Sequence, residues 1–124
     1  MAENKQYITQ NQENGTVQIS EDVIVSIVTI AVTETEGVSG FYAKPGTELA
    51  ERLYMKNRSK GIKITITENN ELYIDCSITV VYGHAVVNVA EAVQESIISA
   101  VESMTGMKVT EVNISICGIT MAQQ

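Results

Sequence analysis

Over residues 82–116 the hydrophobic positions first recur with a helical period and then alternate. Val86, Val89, Val93, Ile97, Val101 and Met104 follow at steps of three and four, while Asn88, Glu91, Glu95, Ser99 and Glu102 fill the opposite side. This predicts a long amphipathic helix with one face on a core and the other in water. Asn88 and Glu91 are also spaced as a capping pair, which would start the helix slightly later. Gly106 follows the last apolar position, where a left-handed residue closes a helix without a Cβ clash. After it, Val112, Ile114 and Ile116 alternate with Asn113, Ser115 and Cys117, the pattern of a strand with one buried face. Val109 is out of phase with that set, so a bulge or break is expected near Thr110 and Glu111.

Upstream, Ile62, Ile64 and Ile66 alternate with Lys63, Thr65 and Thr67, and a turn is predicted at Glu68-Asn69-Asn70-Glu71. The partner strand sets Leu72, Ile74, Cys76, Ile78, Val80 and Tyr82 inward against Tyr73, Asp75, Ser77 and Thr79, giving a hairpin with one wet face. Residues 23–35 are almost all β-branched, yet Ser26, Thr29, Thr33 and Glu36 are spaced three, four and three apart, which suits a helix and not a period of two. Its apolar arc is wide enough to need a core or another subunit around most of it. Ser20 is the expected N-cap, with Glu21 and Asp22 in the first turn; short strands are expected at 16–19 and, after Gly37, at 38–42.

Residues 1–14 are polar with neither period and are expected to form a disordered tail; residues 43–60 have a Pro-Gly turn and no firm assignment; residues 120–124 should fray. A single domain over 15–119 follows. Its predicted class is α+β, a two-layer sandwich of a mainly antiparallel sheet with two main helices packed on one face.

Composition narrows function more than fold. The chain has 124 residues, enough for one ordinary core, and a net charge of −7, which argues against broad contact with nucleic acid or an anionic membrane surface. Six of its eight basic residues nevertheless fall within 44–63: Lys44, Arg52, Lys56, Arg58, Lys60 and Lys63. This segment is either a solvated loop paired with Glu48 and Glu51 or a docking patch for an acidic partner or lipid head groups. Two isolated cysteines and no signal peptide favour reduced thiols and a cytoplasmic protein, and no apolar run approaches the roughly twenty residues of a transmembrane helix.

No reactive constellation can be assembled. His84 with Cys76 or Cys117 invites a nucleophile and base, but His84 sits at a strand-to-helix junction and the two thiols face opposite sides. Two such cysteines and one histidine cannot supply a tetrahedral metal site. Glu91 with Glu95 and Asp75 with Glu71 read as solvated pairs, and the GVSG at residues 37–40 matches neither phosphate-binding pattern. No cofactor is expected.

The order of ISEDVIVSIV, EGVSG, GIKITI, the strand ending in VYG, and the helix ending SMTGMKVTEVNISICGI resembles the alkaline shock protein family of Gram-positive bacteria. The likeness covers about residues 15–119, and its most specific parts are Gly37-Val38, Tyr82-Gly83 and Met104-Thr105-Gly106 leading into Val112-Asn113-Ile114. It implies a self-associating, non-enzymatic scaffold or interaction protein of cell-envelope stress response and homeostasis. It implies further that such a protein is held at the inner face of the membrane by an anchoring protein of the same family, with no transmembrane insertion of its own. The family offers no catalytic residues to carry over; Gly37, Gly83 and Gly106 match its motif and are assigned backbone roles. The alternative function is a regulatory or accessory subunit that binds an enzyme or small molecule through the 44–63 segment, with Arg52, Lys56, Arg58 and Lys60 as its contacts.

Overall fold

In the computed structural model, residues 7–42 and 61–121 are described. Their elements are β1 (Tyr7–Gln12), β2 (Gly15–Ser20), α1 (Glu21–Thr33), β3 (Val38–Phe41), β4 (Ile62–Ile66), β5 (Leu72–Val81), α2 (Val86–Thr105) and β6 (Val109–Thr120). The β-branched segment is a helix. Thr29 and Thr33 donate their hydroxyls to the carbonyls of Val25 and Thr29 at 2.8 and 2.9 Å, which satisfies the threonine hydroxyls within the helical backbone. Ser20 is its N-cap residue but makes no side-chain cap bond. In α2 the buried positions are Val89, Val93, Ile97, Val101 and Thr105, a strict step of four. Met104, expected inward, is 71% exposed, and Thr105 takes its place by donating its hydroxyl to the Val101 carbonyl at 2.7 Å. The helix starts at Val86 with Ala85 as its cap, so Asn88 and Glu91 lie inside it.

β5 is the centre of the main sheet. β6 runs along one edge, and β4 and β3 lie end to end along the other. The pairings of β5 with β3 and β4 are antiparallel, as is the separate β1–β2 hairpin, while the longest ladder, β5–β6, is parallel. A parallel pair needs a long crossover, and α2 provides it. The ladder skips Thr110, at the expected bulge, and skips Cys117 further on. Leu72, Ile74, Cys76, Ile78 and Val80 of β5 face inward with Ile62, Ile64, Val109 and Val112, and all are buried. α1 packs against β3 and β4, α2 packs against β6, and the two helices meet over this one face. Burying each of the larger aliphatic side chains contributes about 1.5–3 kcal/mol before the entropy of ordering. Tyr82, expected to continue the inward set, is 67% exposed because the strand ends at Val81 and Gly83 (φ 105°) turns the chain toward α2.

Two further expectations are corrected. Residues 7–12 are not a disordered tail. They pair rung by rung with β2 from Tyr7↔Ser20 to Gln12↔Gly15, Ile8 is fully buried, and the Gln10 amide donates to the Thr105 carbonyl at 2.8 Å. The strand is polar because most of it faces water. At the other end, Thr120 does not fray: it lies in β6, and its carbonyl accepts from the Tyr82 N–H at 2.7 Å.

The edge made by β3 and β4 is one strand interrupted at a single rung. Phe41 pairs with Ile78 and Ile62 with Cys76, leaving Ser77 between them. The Ser77 carbonyl accepts from Tyr42 N–H at 2.9 Å, and Ser77 N–H donates to the Gly61 carbonyl at 2.8 Å. Tyr42 and Gly61 therefore share the place that one residue would fill. Their approach needs glycine: a Cβ on Gly61 would stand 2.8 Å from the Tyr42 carbonyl oxygen, and its φ is 90°.

Joining Tyr42 directly to Ile62, with residues 43–61 deleted, should therefore complete one continuous edge strand. The shortened chain should melt cooperatively with a midpoint within a few degrees of the parent; loss of the cooperative transition in circular dichroism would contradict the split-rung description. A second expectation concerns Cys76, whose thiol is pushed up from 9.0 to about 12 by burial first and by the Asp75 carboxylate second. Between these values the unfolded chain releases the proton and the folded chain keeps it, so stability falls as pH rises through that window, by at most about 1.4 kcal/mol per pH unit. Urea titrations from about pH 9 to about pH 11 should show the parent losing stability relative to Cys76→Val.

Candidate interaction site

Of the residues that the sequence suggests for a site, Arg52, Lys56, Arg58 and Lys60 lie outside the described residues, as does Lys44. What is visible is where their segment is rooted, at the two halves of the Ser77 rung, with exposed Lys63 two residues beyond Gly61. The three groups weighed for nucleophilic chemistry stand apart. Cys76 is buried under the helices, Cys117 is exposed at the second bulge of β6, and His84 is exposed in the turn after β5. A buried thiol whose ionisation is pushed to about 12 stays protonated near neutrality and has no nucleophilic character. Among the described residues there is no cluster of three His, Cys, Asp or Glu groups that could hold a metal ion.

His84 has a structural neighbour instead. A Cβ on Gly37 would lie 3.1 Å from His84 Nδ1 and 2.8 Å from Val89 Cγ2, and the Gly37 carbonyl accepts from Val81 N–H at 2.8 Å. With φ at 96°, Gly37 is held between the end of β5 and the start of α2. Gly106 caps α2 in the left-handed conformation, with its N–H donating to the Glu102 carbonyl. The carboxylates weighed as pairs are each engaged differently: Asp75 Oδ1 accepts from Asn113 Nδ2 at 3.0 Å, Glu71 accepts from Thr67, and Glu91 and Glu95 are exposed on α2.

The outer edge of β6 shows a feature that the hydrophobic pattern did not disclose. α2 lies alongside it, and two of its polar side chains close the first half of the edge. The Glu102 carboxylate accepts from Val109 N–H at 3.0 Å, and the Gln94 amide donates to the Val112 carbonyl at 3.0 Å. Their spacing of eight residues, near two helical turns, is the signal that sequence offered. Beyond Val112 no such clamp follows among the described residues. Ile114 and Ile116 are half-buried and Ile119 is 58% exposed. From Val109 to Thr120 the strand contains one charged residue, Glu111, and neither lysine nor proline, so beyond the α2 clamp the bulge at Cys117 is the protection its edge keeps. α1, the other contact surface the sequence suggests, covers most of its apolar arc internally and leaves Val23 and Ile30 exposed.

Comparison with known proteins places the chain. Residues 9–121 match the alkaline shock protein 23 family, described by a cell envelope-related function. The protein YqhY of Bacillus subtilis is 34% identical over 113 residues, covering 89% of this chain and 83% of that protein. YloU of the same organism is 31% identical over 107 residues, covering 85% and 88% respectively, and Spy1535 of Streptococcus pyogenes is 30% identical over 105 residues, covering 85% and 79%. Among solved structures, one of MamM CTD superposes with a TM-score of 0.52 at 12% identity, covering 83% of this chain and 96% of that one, a likeness of fold alone. With nearly the whole described chain matched and relatives above 30% identity, the protein belongs to the alkaline shock protein family, a family of cell envelope-related function.

Proposed function

We propose that this protein is a non-enzymatic scaffold of cell-envelope homeostasis and stress response that associates with copies of itself through the open half of the β6 edge. The observation that carries the reading is the contrast along that one strand. Its start is closed by Glu102 and Gln94, and its end leaves Ile114, Ile116 and Ile119 partly or largely in water. Antiparallel pairing of two such edges about a two-fold axis joins two sheets into one and covers the same isoleucines on both copies. Family membership supports the envelope context. No helix of the described residues is long and apolar enough to cross a membrane. In this reading an anchoring protein of the same family holds the scaffold at the inner face of the membrane.

A second reading draws on the split rung. A segment rich in basic residues leaves and re-enters the sheet at one position, a placement in which binding residues can change without disturbing the core. In this reading Arg52, Lys56, Arg58 and Lys60 bind an acidic face of an enzyme or a small anionic molecule.

Sedimentation velocity over a wide concentration range should show concentration-dependent association, and Ile116→Lys with Ile119→Lys should weaken it about tenfold or more, equivalent to about 1.4 kcal/mol, while the melting transition persists. A parent chain that stays monomeric at every concentration defeats the scaffold reading. For the second reading, changing Arg52, Lys56, Arg58 and Lys60 to Glu should abolish recovery of a specific partner in affinity purification without altering the fold; unchanged recovery eliminates the patch.

A further inference from the structure

The face of the main sheet opposite the helices has its own organisation. The parallel register places Asp75 beside Asn113 and Ser77 beside Ser115, so four short polar side chains form a two-by-two array across β5 and β6. Neighbouring positions in such an array are about 5 Å apart across strands and about 7 Å apart along them. The array floors an open depression of about 420 Å³, with Lys63 on the β4 side and Tyr42 at the split rung. Asn113 Nδ2 donates to Asp75 Oδ1 at 3.0 Å, which holds the two planar groups together and leaves the second carboxylate oxygen and the Asn113 carbonyl oxygen as acceptors. Among the described residues, neither the Ser77 and Ser115 hydroxyls nor the Lys63 ammonium group has a protein partner.

We infer that this depression binds a neutral, hydroxyl-rich small molecule, a sugar ring or an equivalent polyol, seated on the Asp75–Asn113 pair. The chemistry of the lining selects that class. Among the described lining residues one carboxylate, Asp75, and one ammonium group, Lys63, balance, so between them they give a strongly anionic or cationic ligand no net attraction. Apart from the Cys117 thiol, the remaining polar side chains of the described lining are hydroxyls and an amide, which both donate and accept, and adjacent ligand hydroxyls do the same. A carboxylate and an amide locked side by side can receive two neighbouring hydroxyls at once, and the Tyr42 ring supplies apolar area for the carbon face of a sugar. Because the cavity is open and shallow, binding is weak and suited to one unit of a larger glycan as well as to a free sugar. The site uses outward side chains of β5 and β6, whereas the self-association reading uses the backbone edge of β6, and the inference does not depend on that reading.

The test is a titration of the isotope-labelled full chain, followed by amide chemical shifts, with methyl glucoside and N-acetylglucosamine as neutral probes. Glucuronate and glucosamine serve as charged counterparts. Saturable shifts at Lys63, Asp75, Ser77, Asn113 and Ser115 are expected with the neutral probes, with dissociation constants of about 1 mM or weaker. Asn113→Ala and Asp75→Ala should each weaken binding about tenfold or more. Asn113 is exposed, so its variant reports on the site even if Asp75→Ala perturbs the strand. An oligosaccharide that binds more tightly than the single sugar identifies a glycan as the source. Absence of saturable shifts, shifts that survive both substitutions, or binding confined to a charged probe overturns the inference.

Discussion

The backbone ladder of β5 is the constraint from which the rest of the structure follows. Three strands pair with this one, and its five inward side chains, from Leu72 to Val80, are all buried beneath both helices. Each peptide group that β5 removes from water must be paired, because an unpaired buried one costs as much as a lost hydrogen bond. The long parallel ladder with β6 satisfies one edge, while β3 and β4 share the other. Once those partners are set, the inward register leaves one face for α1 and α2 to cover, and the chain order makes α2 the crossover between β5 and β6.

This arrangement gives the two sides of the sheet different characters. The inner side is aliphatic, dry and closed, and even its one thiol behaves as a small apolar group. The outer side is polar, with Asp75, Asn113, Ser77 and Ser115 set in a grid by the parallel register. Between the two faces, the β6 edge is where the helix layer and the sheet exchange polar contacts, through Gln94 and Glu102. Core, wet face and edge thus have separate side chains, and substitutions on one need not disturb another.

Much of this was legible in the amino-acid order because burial imposes a period. The step of four through Val89, Val93, Ile97 and Val101, the alternation from Leu72 to Val80 and the phase break at Val109 each map onto one physical requirement. Where a single residue carries the burden, the pattern is silent. β1 has only Ile8 in the core, so its composition resembles that of a solvated tail, although it has a β2 partner at every rung. Met104 and Tyr82 depart from the pattern because a sequence period continues past the point where the element stops or the neighbouring layer ends. The parallel direction of β6 could have been deduced from the twenty-residue helix between the two strands; the Ser77 rung could not, because it depends on residues far apart in the chain sharing one partner. Of the candidate sites, the basic cluster was visible as composition, whereas the Asp75–Asn113 pair and the Gln94–Glu102 clamp exist only once the register is known.

The interrupted rung has a consequence in polymer terms. Tyr42 and Gly61, with eighteen residues of chain between them, are held together by the sheet on opposite sides of one serine's backbone. Closing a ring of that size is ordinarily an entropic cost of folding, and here the central strand enforces it regardless of what the ring contains. Ring closure rises only slowly with length, by about 0.6 kcal/mol for each doubling. Such a ring can lengthen, shorten or change its charge over evolutionary time at little cost to the domain, so this one position gives the fold a place to vary without being redesigned.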